Sequence, residues 1–168
     1  VYFAEALEKV PDNLKEVRPT VFFGVPRIWE KLHAGIAGKL AQLTGGKKRL
    51  LAWTQGVGRR VHARRADGAP LGLALELQHR LADRLVLRKL KAAIGFDRTR
   101  IAISGAAPIG KDVLELFASL DLIVYEVYGQ SEDTGPTSIN LPGAVRLGTV
   151  GRPVPGVEVR LGDDGEIL

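Results

Sequence analysis

The stretch "RIAISGAAPIGKDVLELFASLDLIVYEVYGQSE", Arg100 to Glu132, holds three kinds of local pattern in a fixed order. "RIAIS" (Arg100 to Ser104) is short and β-branched and reads as a strand. "KDVLELFASL" (Lys111 to Leu120) places Val113, Leu114 and Phe117 on one helical face. "LIVYEVY" (Leu122 to Tyr128) reads as a second strand. Strand, helix and strand at this spacing predict a βαβ unit, with parallel strands and a right-handed crossover. The fold class that follows is α/β, a parallel sheet with flanking helices.

The unit extends upstream. "TVFFGV" (Thr20 to Val25) predicts a buried strand, and Pro26 then opens the helix "PRIWEKLHAGIAGKLAQL". In that helix Ile28, Leu32, Ile36 and Leu40 recur every four residues as one apolar face. Val1 to Ala4 is an apolar run that reads as a short strand. Glu5 to Val17 is helical, with a break expected at Pro11. Beyond Gly45-Gly46, Lys47 to Arg65 and Leu71 to Ala93 read as a helical hairpin spanning 47–93. Its second helix is expected to bury Leu73, Leu77, Leu81 and Leu85 and to solvate Arg80, Arg84, Arg88 and Lys91. Gly95 suits its C-terminal stop. After Pro136 the chain turns Gly-, Pro- and Val-rich, and "GDDG" (Gly162 to Gly165) signals a hairpin. The domain reading is an α/β lobe over 1–140 and the start of a β-rich subdomain over 141–168.

Composition restricts the classes. Of 168 residues, 45% are apolar and 26% charged, as in a folded globular chain. No cysteine is present, which excludes disulfides, thiolate metal sites and thiol nucleophiles within it. A cytoplasmic location is the expectation. No run reaches the roughly 20 apolar residues of a membrane-spanning helix. The net charge of +5 conceals a basic segment: residues 47–100 hold 14 Lys and Arg against four acids. With Trp53 and Phe96 as its only aromatics and no recognition motif, this segment is not read as binding nucleic acid. It reads as a pair of solvated helix faces, or as a surface that rests on anionic lipid. His33, His62 and His79 lack metal-ligand spacing and read as structural or solvated, and Trp53 as a packing residue.

In parallel α/β sheets, ligands sit beyond the carboxyl ends of the strands. Two short segments reach that edge: "SGAAP" (Ser104 to Pro108) and "YGQSE" (Tyr128 to Glu132). Small residues in the first let a flat ligand approach the backbone. Tyr128 can stack on it, Ser131 can bind an anion, and Glu132 can hold Mg²⁺ through oxygen. A base, a phosphate and a magnesium ion together make a nucleotide. The alternative is an ordinary βα turn with a solvent-facing glutamate.

These two motifs, followed by "LGTVGRPVPGVEVRLGDDGEIL", resemble the acyl-adenylate-forming enzymes of the AMP-dependent synthetase and ligase superfamily. "RPTVFFGVPRIWEKL" (Arg18 to Leu32) is similar to the long-chain fatty acyl-CoA synthetase branch. The resemblance covers nearly the whole chain and is weakest in the basic hairpin. It implies part of the large N-terminal domain of an enzyme that joins a fatty acid to ATP as an acyl adenylate and transfers it to coenzyme A. Tyr128 would stack on adenine, and Gly105, Ala106 and Ala107 would line the adenine and acyl pocket. Ser104, Pro108, Gly129 and Gln130 complete the implied nucleotide site. Ser131, where the family more often has threonine, would contact the α-phosphate, and Glu132 would bind magnesium; these two are the candidate catalytic residues. Arg27 and Trp29 belong to the branch signature and read as structural.

The resemblance also implies an internal piece of a larger enzyme. The family's phosphate loop is expected upstream of Val1, its ribose-binding aspartate beyond Leu168 and its catalytic lysine further on. Such a piece is expected to have no synthetase activity alone. Two other readings stand beside it: an adenylating enzyme for an aryl or amino acid, and a non-catalytic nucleotide-binding or basic interaction module.

Overall fold

A computed structural model describes residues 1–168. After a single 3₁₀ turn at Leu7–Lys9, the elements run α1 (Val10–Val17), β1 (Val21–Gly24), α2 (Pro26–Ala41), α3 (Gly45–Ala66) and α4 (Leu73–Ala82). A π-helical turn at Asp83–Leu87 leads into α5 (Arg88–Ala93). Then come β2 (Ile101–Ser104), α6 (Lys111–Ser119), β3 (Val124–Gln130), β4 (Gly135–Ile139) and β5 (Arg152–Pro153). The sheet order is β1-β2-β3-β4-β5, with β1, β2 and β3 parallel and the last two pairings antiparallel. The β2-α6-β3 unit is the one the sequence predicts. No helix is long and apolar enough to cross a membrane.

Alternation along the strands sorts the two sheet faces. Phe22, Ala102 and Val124 face the helices and join a core with Trp29, Phe96, Leu114 and Phe117. Residues of the opposite parity on β1 and β2 lie on an open face, where Val21 and Phe23 are each 57% exposed and Ile101 is exposed beside them, whereas Ile123 and Tyr125 border His62, Arg65 and Ala66 at the end of α3. The expectation of a buried β1 is therefore corrected to a strand buried on one side. Val1 to Ala4 is exposed and forms no strand; four apolar residues without a ladder partner gain nothing from extension. Pro11 sits in the first turn of α1, where its missing N–H costs no bond, so the helical break falls before Val10 rather than at Pro11.

The largest correction concerns the helical hairpin. Leu73, Leu77, Leu81 and Leu85 are 87%, 69%, 49% and 42% exposed. The inward face is instead Leu75, Ala82, Leu87 and Leu90. The π turn widens one turn and re-phases the residues after it, and contacts to one carboxylate accompany the apolar packing of the inward side. Asp121, at the α6–β3 turn, lies 3.0 Å from Arg65, 3.2 Å from His79 and 3.4 Å from Lys91. Those three partners come from α3, α4 and α5, so one carboxylate fixes the hairpin to the βαβ unit.

At the end of α5, Gly95 takes φ +83°, and a Cβ there would come within 2.2 Å of the Leu14 carbonyl. Glycine ends the helix and lets α1 approach. "GDDG" closes a hairpin, with backbone bonds from Gly162 to Glu166 and both ways between Arg160 and Leu168.

Burial pushes the Asp121 carboxyl up, but the His79 contact and the charges of Lys91 and Arg65 outweigh it and hold the pKa at about 2. The folded value lies below the unfolded one, so this stabilisation is full above about pH 4 and is lost as pH falls toward 2. Urea titration of the wild type should show about 2 kcal/mol less stability across that window, and Asp121→Asn should flatten the dependence. Asparagine tolerates the left-handed φ of +57° at this position, so the test isolates the charge.

Candidate functional site

The parallel register that pairs Ser104 with Glu126 brings the two motif segments to one edge. Gly105 follows directly, and a Cβ on it would lie 2.6 Å from Cγ1 of Val127. The next residues in that register are Ala106 and Tyr128. Ser104 and Gly105 are buried at the strand end, whereas Ala106, Ala107 and Pro108 are exposed beyond it. Ala106 adopts φ +71°, a conformation an alanine resists and that persists where surrounding structure dictates it. The buried Ser104 hydroxyl has no hydrogen-bond partner.

The second segment differs from its expected form. Tyr128, Gly129 and Gln130 continue β3, and the chain returns as β4 after a turn over Ser131 to Thr134. "YGQSE" is thus the top of a β-hairpin rather than a βα turn. Two features enforce this. Gly129 meets the Gly135 carbonyl so closely that a Cβ would stand 2.1 Å from it, at a register shift in the ladder. Asp133 organises the turn: its Oδ1 accepts from the Gln130 and Gly135 N–H groups at 3.2 and 3.3 Å, and its Oδ2 accepts from the Thr137 hydroxyl. The Thr137 bond, with the backbone donors, holds the Asp133 carboxyl below the usual carboxylate range.

Ser131 and Glu132 project from the exposed tip, and no ion pair engages Glu132. Tyr128 is half-buried, with its hydroxyl donating to Gln130 Oε1 at 3.4 Å. No group of three His, Asp or Glu residues is arranged to hold a metal. A single free carboxylate suits Mg²⁺ that shares its remaining positions with phosphate oxygens and water. The orphaned Ser104 hydroxyl and the open backbone of Ala106 and Ala107 suit a polar, flat ligand.

Sequence reasoning missed Glu126. This carboxylate is buried, and its Oε2 accepts the Gly148 N–H at 2.8 Å. Its backbone oxygen accepts from Asn140, and the Asn140 amide in turn donates to the Thr149 carbonyl. Glu126 therefore ties the strand that carries Tyr128 to the turn around Gly148. Burial raises its pKa, against the hydrogen bonds from Gly148 and Thr149. The signal was a lone charge inside the apolar run "LIVYEVY".

Residues 1–168 match the AMP-binding enzyme family. The chain belongs to that family. Curated relatives include the long-chain-fatty-acid–CoA ligase ACSBG2 of Xenopus laevis, 38% identical over 93% of this chain and 21% of the relative. The long-chain-fatty-acid–CoA ligase FadD15 of Mycobacterium bovis is 36% identical over all of this chain and 27% of its own length. The chain thus spans about a fifth to a quarter of such family members. Among solved structures, a benzoate CoA ligase from Burkholderia xenovorans LB400 superposes with a TM-score of 0.53 at 20% identity, over 97% of this chain and 23% of that one. The anthranilate CoA ligase AuaEII, in complex with anthranoyl-AMP, gives 0.52 at 16% identity, over 100% of this chain and 23% of that one. Both likenesses establish the fold, which is that of adenylate-forming CoA ligases.

Replacing Glu126 tests its bracing role. Glu126→Gln keeps an acceptor for Gly148 without the buried charge and should be at least as stable at neutral pH. Glu126→Ala orphans the N–H and should cost about 1 to 3 kcal/mol in urea unfolding. Gly129→Ala should be the most damaging change at this edge, because the obstacle at 2.1 Å is backbone and cannot rotate away; loss of the cooperative thermal transition is the readout.

Proposed function

We propose that this chain is the adenylate-binding edge of a long-chain fatty acyl-CoA synthetase. The observation that carries the reading is the meeting of Ser104–Pro108 and Tyr128–Glu132 at one strand edge in a chain of the AMP-binding family. The fatty acyl specificity is supported by identities of 36% and 38% to long-chain-fatty-acid–CoA ligases. The substrates are then a fatty acid, ATP and coenzyme A.

A fatty acid carboxylate oxygen attacks the α-phosphorus of ATP, the bond from that phosphorus to the bridging oxygen breaks, and pyrophosphate leaves. The thiolate of coenzyme A then attacks the acyl carbon, and AMP departs with the oxygen that linked them. Tyr128 offers a ring face to adenine. The Ser131 hydroxyl donates to an α-phosphate oxygen, and the N–H groups near Ala106 and Ala107 help orient the nucleotide. Glu132 would hold Mg²⁺, which when bound neutralises phosphate charge. The acyl chain lies against the uncovered sheet face, whose Phe23 and Val127 border Gly105. The basic segment 47–100 supports peripheral contact with membranes, where such acids partition, and the location proposed is cytoplasmic.

The test uses the complete reading frame that carries this chain. Purified protein should release pyrophosphate and form acyl-CoA with a long-chain acid and not with benzoate. Glu132→Ala should lower kcat by about a hundredfold with an unchanged thermal transition. Tyr128→Ala should raise the KM for ATP on the order of tenfold, the scale of one lost base stack. Residues 1–168 alone should show no turnover. Activity of Glu132→Ala equal to wild type, or a preference for benzoate, would overturn the assignment.

A further inference from the structure

We infer that the outer face of the α4–α5 helix lies on the surface of an anionic lipid bilayer. It deepens, and rests on, the reading of the basic segment as membrane-facing, and it names the contact. Leu73, Leu77 and Leu81 stand 87%, 69% and 49% exposed along one helix side, and Leu85 continues the row at 42%. A leucine in water at each of four successive turns is costly unless something covers it. Arginines accompany the row: Leu77, Leu81 and Leu85 are each followed three residues on by an exposed arginine, at 80, 84 and 88. Residues three apart are neighbours on a helix, so a leucine column and an arginine column run side by side. Arg80 also pairs with Glu76 at 2.5 Å, while Arg84 and Arg88 have no carboxylate partner.

The orientation is fixed from beneath. Ala82 and Leu87 are fully buried, and His79 and Lys91 meet Asp121, so the helix cannot roll to hide its leucines. Leucine beside arginine is the composition of an interfacial helix, in which the apolar side chains enter the acyl boundary and guanidinium groups reach up to phosphates. Charge chooses among occupants. Residues 47–100 carry 14 basic and four acidic side chains, so an anionic lipid surface is complementary. A second copy on this face would set one arginine column against another, which like-charge repulsion opposes.

The experiment is co-sedimentation of the complete protein with phosphatidylglycerol/phosphatidylcholine vesicles and with pure phosphatidylcholine, at low and high salt. Wild type should pellet with the anionic vesicles. Leu77→Ser/Leu81→Ser should weaken that binding on the order of tenfold or more at either salt, from the lost apolar transfer alone. Arg84→Gln/Arg88→Gln should weaken it at low salt and flatten its salt dependence. Both double variants change exposed positions and should keep the wild-type thermal transition and turnover with a soluble acid. Equal vesicle binding by the leucine variant overturns the proposal while leaving the basic-segment reading intact. Absence of wild-type binding overturns both, and a wild-type dimer that the leucine variant converts to monomer assigns the face to self-association instead. Vesicle binding, the thermal transition and the oligomeric state decide the proposal without catalysis, so the ligase assignment stands or falls separately.

Discussion

One indole holds the helical layer to the sheet. Trp29 is fully buried in α2, and its N–H lies 3.1 Å from the Gly24 carbonyl and 3.2 Å from the Ile103 carbonyl. These two oxygens belong to neighbouring parallel strands at their carboxyl ends. The ring stacks on Phe96 at 5.7 Å and meets Phe22 and Phe117 edge-on, each at 5.2 Å. A single side chain thus joins β1, β2, α2 and α6 immediately beneath the edge where Gly105 and Ala106 emerge. An indole suits this position because it combines a large apolar surface with one directed donor. Its neighbour Arg27 is exposed and takes no part in this contact.

Much of this was legible in the residues. The strand–helix–strand pattern between Arg100 and Tyr128 was clear because its apolar periods are unmixed and its breaks are glycine and proline. The sharing of one edge by the two motif segments follows from parallel pairing alone. Trp29 reads as structural only through the branch signature it shares with Arg27, and the apolar face of Ile28, Leu32, Ile36 and Leu40 does not include it. Other features depended on distant contacts. The leucine row from Leu73 to Leu85 has an ordinary buried-helix period, yet the side that turns inward is the one whose Leu75, Ala82, Leu87 and Leu90 pack on the core and whose Lys91 meets Asp121. Periodicity reports that a helix has two faces; it does not report which one meets the core.

The second motif segment illustrates another limit. Glycine and polar residues after an apolar strand indicate a turn but not its kind. Here the hairpin is selected by the close approach of Gly129 to Gly135 and by Asp133 collecting three donors. Glu126 was overlooked for a related reason: its partner, the Gly148 N–H, lies 22 residues away. The candidate site is therefore braced from below by Trp29, from the side by Glu126 and at its tip by Asp133, and none of these three is among the residues proposed to touch ligand.

The sheet has two very unequal crossovers. Between β2 and β3 the chain makes one helix, whereas β1 and β2 are separated by residues 25–100, with the entire helical hairpin between them. Closing a short loop loses less chain entropy than closing a long one. Loop-closure entropy therefore favours pairing of β2 with β3 before β1 docks against them through the Trp29 indole. On that ground the candidate edge would form first on its β3 side and be completed on its β1 side.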